Sequence, residues 1–387
     1  MTGQFDTDPA KTMDASGLPN RIRRLAGIVQ ATLGGAVTDQ RIDRDLALYA
    51  IQRHRVGPLM QMAVVGGLIQ ADEDAARLLA SEWQDNRRRC AMQEISRKRI
   101  SGALESAGVA FAFFKGAGLA RALYPAPEWR HVGDIDMLIA PQAWARAIAA
   151  LQSARFTITD PLMTLPPALA RLALPVIRDI AVIDSATRQR IEVHCRLLFS
   201  STLSTQLTRM DPSLGPSGRP VSDSPPIGPG TLCYLLLHGA VSGWARLKWL
   251  VDIHAILRLI EPRECTKLAS IAEACGVTLA ARAGLMVVRA AFPDVALGEL
   301  QAWVDDRTGL SRARRRAQRY AAWLVAPSNA SPNPLHNRRA ALTSALLLHD
   351  GWQSQLATLS HGGLSAGLRV AGRMMRRIQA APGAQST

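Results

Sequence analysis

The chain is poor in features that mark a membrane protein, a disulfide scaffold or a nucleic-acid surface. Its apolar runs are short: Leu232 to Leu237 and Leu342 to Leu348 end far below the roughly 18 residues a membrane helix needs, so no membrane span is expected. Cysteine is sparse and odd in number, at Cys90, Cys195, Cys233, Cys265 and Cys275. That spacing fits neither a disulfide framework nor a CxxC metal site, and the five are read as reduced core residues. His54, His131, His254, His336, His349 and His361 lack metal-ligand spacing, which speaks against zinc. The opening segment carries Asp6, Asp8 and Asp14 and has no apolar core, so neither a secretory signal nor a transit peptide is expected, and the cytoplasm is the expected location.

Lysine is also scarce. Of 46 basic residues only Lys11, Lys98, Lys115, Lys248 and Lys267 are lysines, and the formal net charge is +15. Such a balance attracts polyanions in general. An Arg-rich and Ala-rich composition also follows from genomic base content alone. The runs Arg87-Arg88-Arg89, Arg314-Arg315-Arg316 and Arg376-Arg377 lie at helical spacing, and aromatics, 5% of the chain, do not alternate with them as base-stacking platforms would. Two readings stay open for these Arg-rich helices: solvated faces, or contact with nucleic acid, acidic lipid or another polyanion.

What is present is a chain of 387 residues, 48% hydrophobic, long enough for two domains or one enlarged one. Residues 1–18 and 379–387 read as disordered tails. Residues 19–107 read as a helical lead-in, with Leu46, Tyr49, Ala50 and Arg53 at i, i+3, i+4 and i+7 and a long helix from Ser81 stopped by Gly108. Over 108–210 the texture changes. Val109 to Phe114 reads as a buried strand, Ala117 to Tyr124 as a short helix, Asp134 to Ile139 as a strand and Pro141 to Leu151 as a helix. Ile177 to Ile183 and Arg190 to Leu198 read as two strands of one hairpin. The Pro/Gly/Ser-dense segment 211–230 reads as a linker, and 231–378 as a helical domain broken at Pro327 to Pro334.

Asp134 and Asp136 carry the strongest chemical signal. In a strand, side chains at i and i+2 share a face with alpha carbons about 6.6 Å apart, so both carboxylates reach one cation cluster. Two-metal phosphoryl chemistry needs such hard oxygen ligands, with cations about 3.5 to 4 Å apart. A DxD also arises by chance in surface turns. Upstream, Lys115-Gly116-Ala117-Gly118 lies between a strand and a helix, where small residues let the backbone approach a phosphate; it also reads as a plain glycine turn. Downstream, Ile191-Glu192-Val193-His194 alternates, so Glu192 and His194 share a face and Glu192 completes a carboxylate trio, or else lies on an exposed edge.

These residues resemble a known family. Phe114 to Ala120, then Leu123-Tyr124-Pro125, Arg130 and Gly133-Asp134-Ile135-Asp136-Met137-Leu138 are similar to the uncharacterised nucleotidyltransferase family of the DNA polymerase beta superfamily. Ile191 to His194 resembles its third-carboxylate strand. Leu235 to Gly239 with Trp244 to Ile253 resembles its helical signature, so the likeness runs from about Tyr49 to Leu257. The resemblance implies an α+β fold: a polymerase-beta-like sheet with flanking helices, a mostly helical N-terminal lead-in and a C-terminal helical domain. It implies magnesium, with manganese as the alternative, on Asp134, Asp136 and Glu192, and transfer of NMP from an NTP such as ATP. Glu192 would otherwise orient or deprotonate an acceptor hydroxyl. Lys115, Gly116, Ala117, Gly118 and His194 would serve the nucleotide, and Arg130 would pair with the triphosphate or brace the Asp134 loop. The superfamily turn usually carries Gly-Gly or Gly-Ser; here Ala117 follows Gly116 and offers no hydroxyl. Arg246 and Lys248 would reach phosphates, or Trp249 and Leu250 are core and Asp252 pairs with Arg246. The acceptor, whether small molecule, glycan precursor, protein or RNA, is not written in the sequence. A non-catalytic nucleotide-binding scaffold and a toxin-like enzyme acting on RNA are the competing functions.

Overall fold

The computed structural model describes residues 18–164, 177–198, 200–216, 227–325 and 347–379. The expected tails, apart from Leu18 and Gln379, lie outside the described residues, as do 217–226 of the predicted linker and the predicted break at Pro327 to Pro334.

Helix α1 spans Asn20–Gly34 and α2 Arg44–Leu48, which runs on into a π-helical turn at Tyr49–His54; α3 is Gly57–Val65 and α4 Glu73–Ser106. The two-residue strands β1 (Arg41–Ile42) and β2 (Gln70–Ala71) pair in parallel. Then follow β3 (Phe111–Phe113), α5 (Ala117–Leu123), β4 (Ile135–Ile139), α6 (Trp144–Ser153), β5 (Phe156–Ile158), β6 (Asp179–Asp184), β7 (Arg190–His194) and α7 (Ser201–Met210). The remaining elements are helices: α8 Pro229–Val241, α9 Leu247–Leu257, α10 Pro262–Ala274, α11 Thr278–Ala291, α12 Leu300–Asp305, α13 Leu310–Val325 and α14 Trp352–Gln379. No described helix is long and apolar enough to cross a membrane.

The chain forms two compact units, and neither is one continuous stretch. A helical unit takes Met1–Arg87, Leu123–His131 and Ile227–Asp350; a sheet unit takes Arg88–Ala122, Val132–Pro226 and Gly351–Thr387. The cuts expected at 107/108 and 210/211 are linear, whereas these units interleave. Helix α14, expected at the end of the helical domain, groups with the sheet. Leu368 and Ala371 pack on the sheet's core, and Gly372 comes so near the Pro161 carbonyl that a Cβ there would lie 2.1 Å from its oxygen.

In the sheet unit, the described strands run in the order β3-β4-β7-β6-β5. Strands β4 and β7 are parallel and the other neighbours antiparallel, so the sheet is small and mixed. Alternation decides which face is buried. Ile135, Met137 and Ile139 of β4, Ile191 and Val193 of β7, and Ile180 and Val182 of β6 join Phe111, Phe113 and Trp144 in one core. The side chains between them point the other way, and Asp136, Glu192 and His194 are among them. Strand β5 is missed by the sequence reading because Phe156-Thr157-Ile158 is three residues long and too short to display a period.

Helix α4 is started and stopped by its own residues. Asp72 caps it, its carboxylate accepting from the Ala75 N–H at 2.7 Å, and Glu73 and Asp74 sit in the first turn where the helix dipole favours anions. Gly108 ends it at φ +62, a left-handed conformation that glycine takes without strain, with the Val109 N–H returning to the Leu104 carbonyl at 2.9 Å. In the helical unit the largest fully buried side chain is Trp244, whose ring occupies the space where a Cβ on Gly239 would come within 2.5 Å.

Candidate active site

Asp136 sits in the middle of the sheet, directly opposite Glu192 on the parallel neighbour β7, while Leu138 stands opposite His194. On the far side of β7, Asp179 of β6 stands opposite His194. Because Ile135, Met137, Ile191, Val193 and Ile180 fill the core face, Asp136, Glu192, His194 and Asp179 share the other face. Asp134 lies just before β4 and is half-buried. It has the same parity as Asp136.

The groups converge on one oxygen. Lys115 Nζ donates to Asp136 Oδ1 at 3.0 Å, and His194 Nε2 lies 3.2 Å from the same atom and 3.6 Å from Glu192 Oε2. The Arg190 guanidinium holds the other Glu192 oxygen at 3.0 Å. Asp136 and His194 are buried, and Glu192 is partly open. The His194 ring stands edge-on to Phe114 at 4.9 Å, and its Nδ1 is buried with no hydrogen-bond partner among the described residues.

Electrostatics separate the three carboxyls. Burial opposes ionisation of Asp136, but the Lys115 ammonium and then His194 outweigh it and hold this carboxyl well below the usual range. The His194 hydrogen bond lowers Glu192 against burial and the neighbouring Asp136 charge. Asp134 moves the opposite way: burial raises it, and the Asp136 and Glu192 charges raise it further. Three acidic groups that repel one another around a partly open face make a site that gains by taking up a cation. Asp136, Glu192 and His194 also offer one ligand atom each, all within 4.8 Å of one another. This donor set fits a divalent ion, and the ammonium already drawn onto Asp136 shows the same preference for positive charge.

The glycine turn serves the carboxylate strand. Gly116 has φ +69, and a Cβ there would come within 3.4 Å of the Asp134 carbonyl oxygen, so the turn passes close to the Asp134 backbone. Ala117 and Gly118 are buried at the start of α5. From the other side, the buried Gln93 amide of α4 donates to the Gly133 carbonyl at 2.6 Å and fixes the residue before Asp134. Gln93 carries no local signal in mid-helix and is not predictable from the sequence. Asp179 is likewise absent from the predicted site, though the Asp179-Ile180-Ala181-Val182 alternation places it on the site face.

Of the residues predicted for the site, the structure brings together Asp134, Asp136, Glu192, His194 and Lys115, with the 116–118 turn beside them. Arg130 belongs to the helical unit. Its Nε and one terminal nitrogen donate to the two oxygens of Asp252, each at 2.8 Å, and Tyr124 donates to the same carboxylate at 2.8 Å. Arg246, predicted as the partner of Asp252, is the extended residue that precedes α9, and its guanidinium lies 5.7 Å from the Trp249 ring centroid. Lys248 is buried and donates to the His131 carbonyl at 3.1 Å, and burial pushes its amine well down. Leu250 is fully buried, as predicted, while Trp249 is only half-buried. All five cysteines are free and buried.

A family model described as uncharacterised nucleotidyltransferase matches residues 40–293, well over half of the chain. Comparison with curated proteins and with solved structures finds no match. The matched stretch takes in the carboxylate strands, the glycine turn and the helices from α8 to α11. This chain belongs to the uncharacterised nucleotidyltransferase family.

Proposed function

We propose that the protein transfers an NMP group from an NTP to an acceptor hydroxyl or phosphate, at the face carrying Asp134, Asp136, Glu192 and His194. The observation that carries this reading is the register pairing of Asp136 with Glu192, which sets two carboxylates from parallel strands side by side with His194 against both. Asp136, Glu192 and His194 would hold a divalent cation, with Asp134 beside them; when bound, such an ion neutralises phosphate charge and steadies the oxygens of an in-line displacement. A nitrogen donor among oxygens admits manganese as well as magnesium.

The chain's own residues do the rest. An acceptor oxygen attacks the α-phosphorus as the bond to the leaving pyrophosphate breaks, and the acceptor's proton must go to a base within hydrogen-bond reach. Glu192, where it does not serve as a ligand of the cation, would receive or orient that proton, being ionised through His194 and partly open to solvent. Asp136 is too enclosed for that task and holds charge in place. Lys115, which donates to Asp136, would serve a phosphate once a cation takes up the Asp136 carboxylate. A polymerase-beta-like arrangement of the sheet belongs to the same proposal, supported by the family and by the parallel β4–β7 pair.

The test is incubation of the purified chain with each radiolabelled NTP, magnesium or manganese, and a cell extract, beside the Asp134→Asn/Asp136→Asn double variant. A labelled species formed only by the wild type is the expected result. Tight nucleotide binding without any product would instead mark a scaffold, and absence of nucleotide binding with either metal would remove the reading altogether.

A further inference from the structure

Away from the carboxylate face, the helical unit contains a cavity of about 570 Å³ formed by the end of α9, the start of α10, the loop after α11 and part of α1. That volume is in the range of small-molecule sites. Its walls combine apolar side chains, Leu257 and Leu297 among them, with the polar side chains of Gln30, His254, Arg258 and Asp294.

His254 is the most deeply buried polar group on this wall. It is 4% exposed, its ring lies against Phe292 with centroids 4.5 Å apart and planes 18° from parallel, and neither ring nitrogen has a hydrogen-bond partner among the described residues. Buried polar atoms in folded proteins nearly always find partners, so two unmatched nitrogens on a cavity wall point to a partner that arrives from outside the fold. A neutral imidazole offers one donor and one acceptor. Arg258 is exposed at the rim, and its guanidinium has no hydrogen-bonded or ion-paired partner among the described residues. The Asp294 carboxylate, also exposed, accepts an amide hydrogen from Gln30 and keeps further acceptor capacity. The cavity thus presents a cation and an anion on one rim and a neutral donor–acceptor group within.

We propose that this cavity binds a small zwitterion of the α-amino-acid class, with the ligand carboxylate on Arg258, its ammonium on Asp294 and a hydroxyl or amide side chain on His254. Charge complementarity at both ends selects against plain acids and plain amines, each of which would leave one rim charge unmatched. The site is independent of nucleotidyl transfer and stands or falls separately from it.

The experiment is calorimetric titration of the full chain with each proteinogenic amino acid, and with matched acids and amines that lack one of the two charges. Saturable binding of a polar amino acid is expected, weakened about tenfold or more by Arg258→Gln and by Asp294→Asn, a loss of roughly 1.4 kcal/mol each. Both are exposed rim substitutions, so an unchanged thermal melt will show that the fold persists. His254→Phe should weaken binding as well. The proposal is overturned if no amino acid binds, if a singly charged analogue binds as tightly, or if the two rim variants titrate like the wild type.

Discussion

The two units bury charge in opposite ways. In the helical unit the buried cations are closed off by partners that complete them. Arg130 meets both oxygens of Asp252; Arg282 donates to the carbonyls of Val304, Asp306 and Thr308; Arg53 donates to those of Ala245, Trp323 and Leu324. Several of these carbonyls lie at the C-terminal ends of α12 and α13, where the helix dipole favours positive charge. In the sheet unit, beside closed pairs such as Asp184 with Arg99, the carboxylates of the site face one another. Burial and then the Asp136 and Glu192 charges raise Asp134, while Lys115 and His194 outweigh burial at Asp136 and the His194 hydrogen bond lowers Glu192. Closed pairs hold a fold together. Open, mutually repelling groups hold something that is still to arrive.

That contrast predicts different penalties for neutralising a carboxylate in each unit. Asp252→Ala would strand Arg130 in a buried position and remove the acceptor of Tyr124, so a loss of about 3–5 kcal/mol is expected in urea denaturation. A double change of Arg130→Met with Asp252→Leu should recover much of it, because apolar groups of similar size need no partner. If the single variant melts like the wild type, Asp252 is not structural and the contrast breaks. Asp136→Asn should behave in reverse. Turnover is expected to fall about 10³-fold, equivalent to roughly 4 kcal/mol of barrier, while circular dichroism stays near the wild-type spectrum and the melting temperature falls by less than in Asp252→Ala, because an amide oxygen can still accept from Lys115. A variant that keeps its activity would mean that the sheet face is not where the chemistry happens.

How much of this was legible in the sequence depends on the distance over which each interaction acts. The carboxylate strands could be read because parity is local: Asp134 and Asp136, or Glu192 and His194, share a face once a strand is granted, and the stop at Gly108 needs only its own neighbours. The pairing of Arg130 with Asp252 could not, since 122 residues separate them and a guanidinium near a DxD invites a phosphate reading. Nor could the return of α14 to the sheet, which rests on Gly372 against Pro161 and on Arg369 reaching Asp160 and Asp179. The sequence suggests a triphosphate partner for Lys115, whereas the fold sets its ammonium on Asp136.

Acid should separate the two units as well. In the helical unit burial, reinforced by Arg258, lowers His254 to about 4, and burial with Arg316 lowers His349 to about 4. A folded value below the unfolded one means stability that is present above about pH 6.5 and lost as pH falls towards 4, on the order of 2 kcal/mol per histidine by pH 4.5. In the sheet unit, burial works against the Asp179 charge, but Arg178, His194 and Arg369 prevail and hold it at about 2. Its contribution is intact above the unfolded value near 3.9 and disappears only between about pH 4 and 2, again on the order of 2 kcal/mol. Hydrogen exchange followed by mass spectrometry from pH 7 to 4.5 should therefore show, after correction for intrinsic rates, protection falling in α9 and α11 while β6 and β7 keep theirs. His349→Phe, which cannot take up a proton, should flatten part of that loss, and an equal loss in both units would mean that the helical unit's histidines are not buried in their neutral form.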